Sequence, residues 1–523
     1  MRIVRFCFAA ASLIFTAAPA VRGQAPVESG WRILPLDHWA YEYIERLHSR
    51  GLLPSLNPLV QPYRRVDVAR ALSSLKKEEL EYPARRWFEV LESELRYELQ
   101  ALAGGSRSGW GIELTGGVRA ANVQRLVPFS MPYLDSLRGF GSGGVWPRYR
   151  AAAWAEYGHL VVESGLLGDF YFRDDPDGLD PGQRRGGRPD HSYVGVQFPV
   201  GGVTLGRLQR NWSWLGSRGL LISNYATSYP QLGVQIDLGR LQLQFFAGEL
   251  DTVADYKRYI AANRLDYVTR DLVISLSQSV LYGTRSGLQL RFLNPADFLF
   301  FEHDNAPYDL VQNLGVDAQL WFRRGKLQAF VEGLLDDIDL KPRDNGLPAA
   351  ERAPLRYAFS LSARLSPLWS RGDLGVSYEQ VGAWTYRTVD PAVDRYLFLN
   401  RGIGANFSDY DRLSVWADMY PALPFDLRLT PVAEIVRKGE GDIRSPIPVF
   451  PPFRGEPALF LGVRETTARG ALRIWSRSDT GLWWRAEVGA VRVQDAGHKV
   501  GVDRFRWAGL VEVGASVRRL FRF

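Results

Sequence analysis

From residue 505 onward apolar side chains fall on every second position. Phe505, Trp507, Val511, Val513, Ala515 and Val517, then Phe521 and Phe523, share one parity, while Arg506, Glu512, Ser516, Arg518 and Arg522 take the other. A period of two predicts a strand with one apolar and one polar face. At nineteen residues this strand is longer than the 3 to 10 residues usual in globular sheets. The same alternation recurs in Trp110–Ala120, Gly202–Trp212, Arg240–Leu250, Gly287–Leu293, Val311–Phe322, Leu327–Leu335, Ala358–Leu365 and Leu413–Met419. Most of these have about the 9 to 11 residues that a tilted strand needs to cross the hydrocarbon of a bilayer.

The breaks between segments are of two kinds. Leu238-Gly239-Arg240, Arg324-Gly325-Lys326, Arg371-Gly372-Asp373 and Asp479-Thr480-Gly481 are short hairpin turns. Val127–Gly144, Asp174–Asp190, Asp251–Asn263, Lys341–Pro354 and Arg437–Pro457 read as long loops rich in Pro, Gly and Asp. Short turns at one end and long loops at the other are the asymmetry of a transmembrane β-barrel. The expected fold is therefore mainly β, a large antiparallel transmembrane barrel of about 18 strands. Its final strand, anchored by Phe505, Trp507, Phe521 and Phe523, is expected to pair with the first, near Trp110–Ala120, so that no edge is left. Arg506, Glu512, Arg518 and Arg522 should then face the lumen. Nine tryptophans near segment ends, Trp146, Trp154, Trp321, Trp369, Trp384, Trp416, Trp475, Trp483 and Trp484, are expected in the interfacial girdles.

The period changes before residue 105. Trp39, Tyr43 and Leu47 have helical spacing, with Asp37 as cap and Gly51 as stop; a second helix is expected from Arg65 to Leu75 and a third from Pro83 through Leu102. Residues 24–105 thus form a small helical module ahead of a barrel of residues 106–523. Residues 1–23 have the make-up of a secretory signal peptide, with Arg2 and Arg5 before the apolar run Phe6–Ala18 and small residues after it. That run is too short to span as a helix, which takes about 20 apolar residues.

Composition narrows the function classes. The single cysteine, Cys7, lies inside the expected signal, so no disulfide or cysteine metal site is expected. Loss of Arg2, Arg5 and Arg22 takes the formal charge from +7 to +4, and nucleic acid is not an expected partner. The six histidines are scattered, and neither HExxH nor Gly-x-Ser-x-Gly occurs. No catalytic residue, metal or cofactor is called for, and the chain is not expected to be an enzyme.

Three resemblances add to this. The aromatic-ended last strand resembles the closing strand of bacterial outer-membrane barrels, where a terminal Phe signals to the barrel assembly machinery; outer-membrane lipid and that machinery are the implied partners. The words DHWAYEYIERLHSRGLLP and YRRVDVARAL resemble one copy of an S-layer homology motif, with Asp67 in place of the usual Glu; it implies a possible cell-wall polymer as partner, beside the reading as a periplasmic cap. Leu205–Pro230 and Arg291–Leu340 resemble the Wzi-type capsule assembly family of outer-membrane proteins. The matching residues are the Gly-Arg-x-x-Arg-x-Trp run ending at Trp212, then Asn294, Pro295, Glu302, Asn313, Gly315, Glu332, Asp336 and Asp337. The family's Trp-Gly-Pro is replaced by Trp214-Leu215-Gly216-Ser217. This resemblance implies a non-catalytic, lectin-like barrel in the bacterial outer membrane that binds capsular or extracellular polysaccharide and assists its attachment.

The candidate glycan-binding residues are Arg210, Trp212 and Trp214, the carboxylates Asp174, Asp175 and Asp177, and the neighbouring Arg184, Arg185 and Arg188. Arginine forks suit an acidic glycan, and flat rings pack on sugar C–H faces. A lumen lined by arginine serves ion selectivity equally well, so a carbohydrate-selective or general porin, tethered to the cell wall by the helical module, stands as the alternative.

Overall fold

The computed structural model describes residues 30–104, 108–123, 143–175, 187–253, 255–305, 311–336, 355–388, 393–423, 425–447 and 457–522. Eighteen antiparallel strands follow one another round a closed sheet. They are β1 Gly109–Ala121, β2 Gly144–Tyr157, β3 Leu160–Asp169 and β4, which is Gly187–Pro189 continued by Ser192–Phe198 after a break at Asp190-His191. Next come β5 Gly201–Leu208, β6 Tyr229–Leu238, β7 Leu241–Val253, β8 Tyr256–Val268, β9 Leu272–Thr284, β10 Val311–Arg324, β11 Leu327–Asp336, β12 Tyr357–Trp369 and β13 Gly372–Val381. β14 Tyr410–Met419, β15 Asp426–Lys438, β16 Glu465–Arg477, β17 Leu482–Gln494 and β18 Arg504–Arg522 complete the wall.

β18 closes the ring as expected. It pairs with β1 from Gly109 opposite Arg522 to Ala121 opposite Leu510, and Trp110 stacks on Phe521 with ring centroids 4.2 Å apart. Phe505, Trp507 and Phe521 face outward; Phe523 lies outside the described residues. Glu512 points inward, where Arg485, Arg119 and Arg148 surround it. Outside, large apolar side chains are exposed on alternate positions, for example Leu160, Val162 and Leu166 on β3. This is the lipid-facing surface of a transmembrane barrel.

Among the described residues four α-helices precede the wall: α1 Ala40–Ser49, α2 Arg65–Ser73, α3 Ala84–Glu94 and α4 Arg96–Leu102, the expected third helix being broken at Leu95. They fill the short-turn end of the lumen. Tyr43, Leu47, Trp87 and Leu91 share one apolar core with Trp321, Phe330, Tyr420 and Trp475 of the barrel. Tyr43 Oη donates to Asp426 Oδ2 at 2.9 Å, and the Gln328 side chain donates to the Ser49 carbonyl.

Four expectations fail, each for a physical reason. The segment Gly202–Trp212 is strand only to Leu208; beyond it residues 209–228 turn into the lumen. Asp251–Asn263 is not a loop, because β7 runs to Val253 and β8 starts at Tyr256, with Thr252 opposite Lys257 and Val253 opposite Tyr256. Arg258 within it, and Arg264 and Asp266 just beyond it, are buried on inward positions. Gly287–Leu293 is not a strand but part of a segment folded over the outer wall. Finally, Trp146, Trp154, Trp321, Trp416, Trp475 and Trp483 sit on inward rows and Trp384 is buried in a loop, so these seven leave the girdle. Trp369 is exposed on the outside, as expected.

Candidate functional site

Residues 209–228, 382–388 and 393–409 descend from the long-loop end and interlock in the lumen. Trp212, Leu220, Leu221 and Ile222 pack with Tyr386, Tyr396, Phe398 and Ile403. Their exposed backbone groups find partners locally. Tyr386 Oη donates to the Leu220 carbonyl at 2.5 Å, Tyr396 Oη to that of Leu221 at 3.0 Å, and the Ser223 amide to that of Ile403 at 2.6 Å. From the wall, Glu332 accepts the Leu220 amide at 2.7 Å and Gln319 donates to the Trp212 carbonyl at 2.7 Å. Loop and helical module are joined by paired backbone bonds between Gln61 and Asn211, both 3.0 Å.

The candidate glycan residues therefore separate. Trp212 and Trp214 are 0% and 2% exposed, set against Phe246 and Phe330, and neither ring has a free face in this conformation. Arg210 is buried beside them, donating to Gln231 Oε1 at 2.5 Å. Asp174 and Asp175 lie elsewhere, at the long-loop rim. Asp174 accepts Trp146 Nε1 at 2.6 Å; Asp175 pairs with Arg401 and accepts the Tyr171 hydroxyl at 3.3 Å. The Arg188 guanidinium lies 4.1 Å over the Phe172 ring. Asp177, Arg184 and Arg185 fall outside the described residues.

Two features escaped the sequence reading. One is a lumenal cavity of about 430 Å³ between the module, the inward loop and the wall, lined by Arg148, Arg150, Arg218 and Arg485 with Asp37 and Glu512 among the acids. Its only sequence signal is Arg148 and Arg150 on one parity of β2, opposite Val145 and Tyr149. Asp37 joins both guanidiniums at 2.6 Å. Burial opposes its ionisation, but Arg150 and Arg148 outweigh that and hold its pKa well below the ordinary range. The other feature is at the rim. Asp409, at φ +61°, accepts the amides of Phe460 at 2.5 Å, Gly441 at 2.8 Å and Leu461 at 3.0 Å. This fixes Phe460 between the guanidiniums of Arg437 and Arg464, 5.2 and 5.7 Å from its ring.

His38 marks the seam of module and wall. It lies 3.8 Å from Glu94 on α3 and 3.9 Å from Glu113 on β1, with Arg65 and Arg518 also facing it. Burial outweighs the two carboxylates and brings it from 6.5 down to about 4. Glu94, despite burial, is held down from 4.5 to about 2 by Arg518 and Arg65. A depressed histidine charges only on release, so its contribution to docking is lost as pH falls from about 6.5 to about 4. The depressed Glu94 contribution is present above about 4.5 and is lost toward 2. Both signs agree: docking weakens with acid, by about 3 kcal/mol for His38. Denaturant midpoints of the wild type should fall between pH 7 and 4.5, and His38→Asn should flatten that slope.

No protein-family model matches the chain, and no curated protein matches it by sequence. Among solved structures it is similar to Escherichia coli Wzi, an outer-membrane protein involved in group 1 capsule assembly and described as a carbohydrate-binding β-barrel. The TM-score is 0.61, over 93% of this chain and 99% of that one, at 11% identity. OccAB4 of Acinetobacter baumannii aligns at TM-score 0.45, covering 79% and 98% of the two chains at 9% identity. The chain thus has a Wzi-like fold, as the resemblance in Leu205–Pro230 and Arg291–Leu340 implied.

Proposed function

We propose that this protein is a non-catalytic outer-membrane barrel that holds an acidic capsular or extracellular polysaccharide at the cell surface and assists its attachment or assembly. The observation that carries the reading is the filled lumen: a Wzi-like barrel whose bore is occupied by helices at one end and by interlocked loops from the other. Such a bore suits a binder better than a pore. The short turns and the module then face the periplasm, reached by signal-peptide export, and the long loops face outward. The module acts as a cap, since its His38-Trp39 segment is turned into the barrel, Trp39 lying 3.7 Å under Arg477. Glycan contacts belong to the loop rim, where Phe460 offers a ring beside two guanidiniums and Asp174 and Arg188 add further charge.

Deleting the gene should move polysaccharide from the cell-bound to the shed fraction. Unchanged fractions, with reduced uptake of small sugars, would favour the porin instead. Phe460→Ala with Arg464→Ala should weaken binding of an acidic polysaccharide by about 1–3 kcal/mol, roughly 5- to 150-fold, measured with protein in nanodiscs.

A further inference from the structure

On β7 to β10 the outward rows change character halfway up the wall. Toward the short-turn end Leu265, Ile274, Leu276 and Leu320 are exposed, as lipid-facing residues should be. Further along the same rows Phe245, Tyr259, Val280, Tyr282 and Leu314 are buried. What covers them is residues 285–305, between β9 and β10. This segment folds back down the outside of the barrel through a turn at Leu290–Phe292 and a short helix, α5 Leu299–Asp304. Phe292 and Leu299 are its inner anchors, both 0% exposed.

Polar partners fix the depth it reaches. Asn263 and Gln278 occupy outward positions, where an amide facing acyl chains would be costly. Both donate to the Asp297 carbonyl, at 2.8 and 3.1 Å, and Gln278 Oε1 accepts the Phe300 amide at 3.3 Å. The Tyr282 hydroxyl accepts the Gln289 amide at 3.3 Å. Gln278 is six residues from the Thr284 end of β9, about 20 Å along the strand. With ordinary tilt that is about 15 Å of height, more than half of the ~25 Å apolar band of such barrels. The outer face of the segment carries large apolar side chains, Leu288, Leu290, Phe298 and Phe301 being 48%, 80%, 55% and 60% exposed, interspersed with exposed Asn294 and half-buried Asp297 and Glu302.

We propose that residues 285–305 are a membrane-seated strap, immersed in the leaflet at the long-loop end, with the acyl chains of its lipid as their outer partner. The strap's apolar face continues the lipid-facing rows of Leu265, Ile274 and Leu276 and replaces the side chains it covers. Its irregular backbone is tolerated at that depth because amides of the wall take hydrogen bonds that water would otherwise supply. The strap holds this sector of the barrel to the bilayer independently of what the lumen does.

The chain's one cysteine, Cys7, leaves a clean background for labelling. In a Cys7→Ser background, Leu290→Cys, Phe298→Cys and Phe301→Cys would each be spin-labelled in lipid vesicles, with Leu276→Cys as the wall reference and Val500→Cys as the aqueous one. Heat-modifiable migration selects folded variants, so any one strap position suffices. The strap labels should match Leu276→Cys, colliding with oxygen at least about threefold more than with a water-soluble nickel chelate, in the gradient a bilayer imposes. Chelate access like that at Val500→Cys would overturn the proposal. So would protection from both reagents with dipolar broadening, which would place a second copy on this face.

Discussion

Replacing Trp212 with alanine should destabilise the lumenal assembly by about 3–5 kcal/mol, the range for removing a large buried aromatic side chain. Trp212 is fully buried, with its ring 5.5 Å from Phe246 and near the Arg264 guanidinium at 5.9 Å. Its backbone is fixed as well, the amide donating to the Ile222 carbonyl at 2.9 Å and the carbonyl accepting from Gln319. The surroundings cannot collapse into the vacated space, because wall strands on one side and the Leu220–Ile222 turn on the other are each held by hydrogen bonds. Guanidinium unfolding of detergent-solubilised protein, followed by near-ultraviolet circular dichroism, reads the loss. A change under about 1 kcal/mol would mean that the ring is not part of a packed plug.

Glu512→Ala should cost a comparable amount, about 3–5 kcal/mol, by leaving buried guanidiniums without their carboxylate. Glu512 is 1% exposed on the closing strand, 2.5 Å from Arg485, 3.4 Å from Arg119 and 3.6 Å from Arg148. Asp169 also reaches Arg119 and Arg148, at 3.5 and 3.7 Å, so some compensation remains. Arg485 is partly exposed, which moderates its share. The temperature at which the folded band converts on a detergent gel should drop for Glu512→Ala, and less for Glu512→Gln, which keeps the shape and a hydrogen-bonding oxygen. Equal drops would show that the carboxylate charge carries the whole effect, whereas an unchanged Glu512→Gln would show that charge is not what matters there.

The parts of this fold that sequence reveals are those in which each side chain has one environment. β18 is such a case: its outward row faces lipid along its whole length and its inward row is charged, so strand, closure and partner were all readable. The helical module was readable for the same reason, through Tyr43, Leu47 and Leu91 on single faces. Trouble begins where the lumen is not water. Residues 209–212 already belong to the plug, yet in sequence Gly202–Trp212 reads as one continuous strand. Trp146, Trp154, Trp321 and Trp475 likewise mimic a girdle while lining a filled bore. The converse error occurred at residues 251–263, where inward Arg258 and outward Asn263, one satisfied inside and the other by the strap, erase the alternation. Alternation reports a contrast between two solvents, and both faces of this barrel are partly covered by its own chain. The rim site was unreadable because Asp409 assembles it from three separate stretches of sequence.

The filled lumen is the claim on which the functional reading rests, and ion conductance tests it most directly. Purified protein shown by protease protection to be inserted in planar bilayers should give no stable conductance steps at neutral pH. Steady steps of the size expected for an open 18-strand pore would contradict the account and return the porin reading to first place.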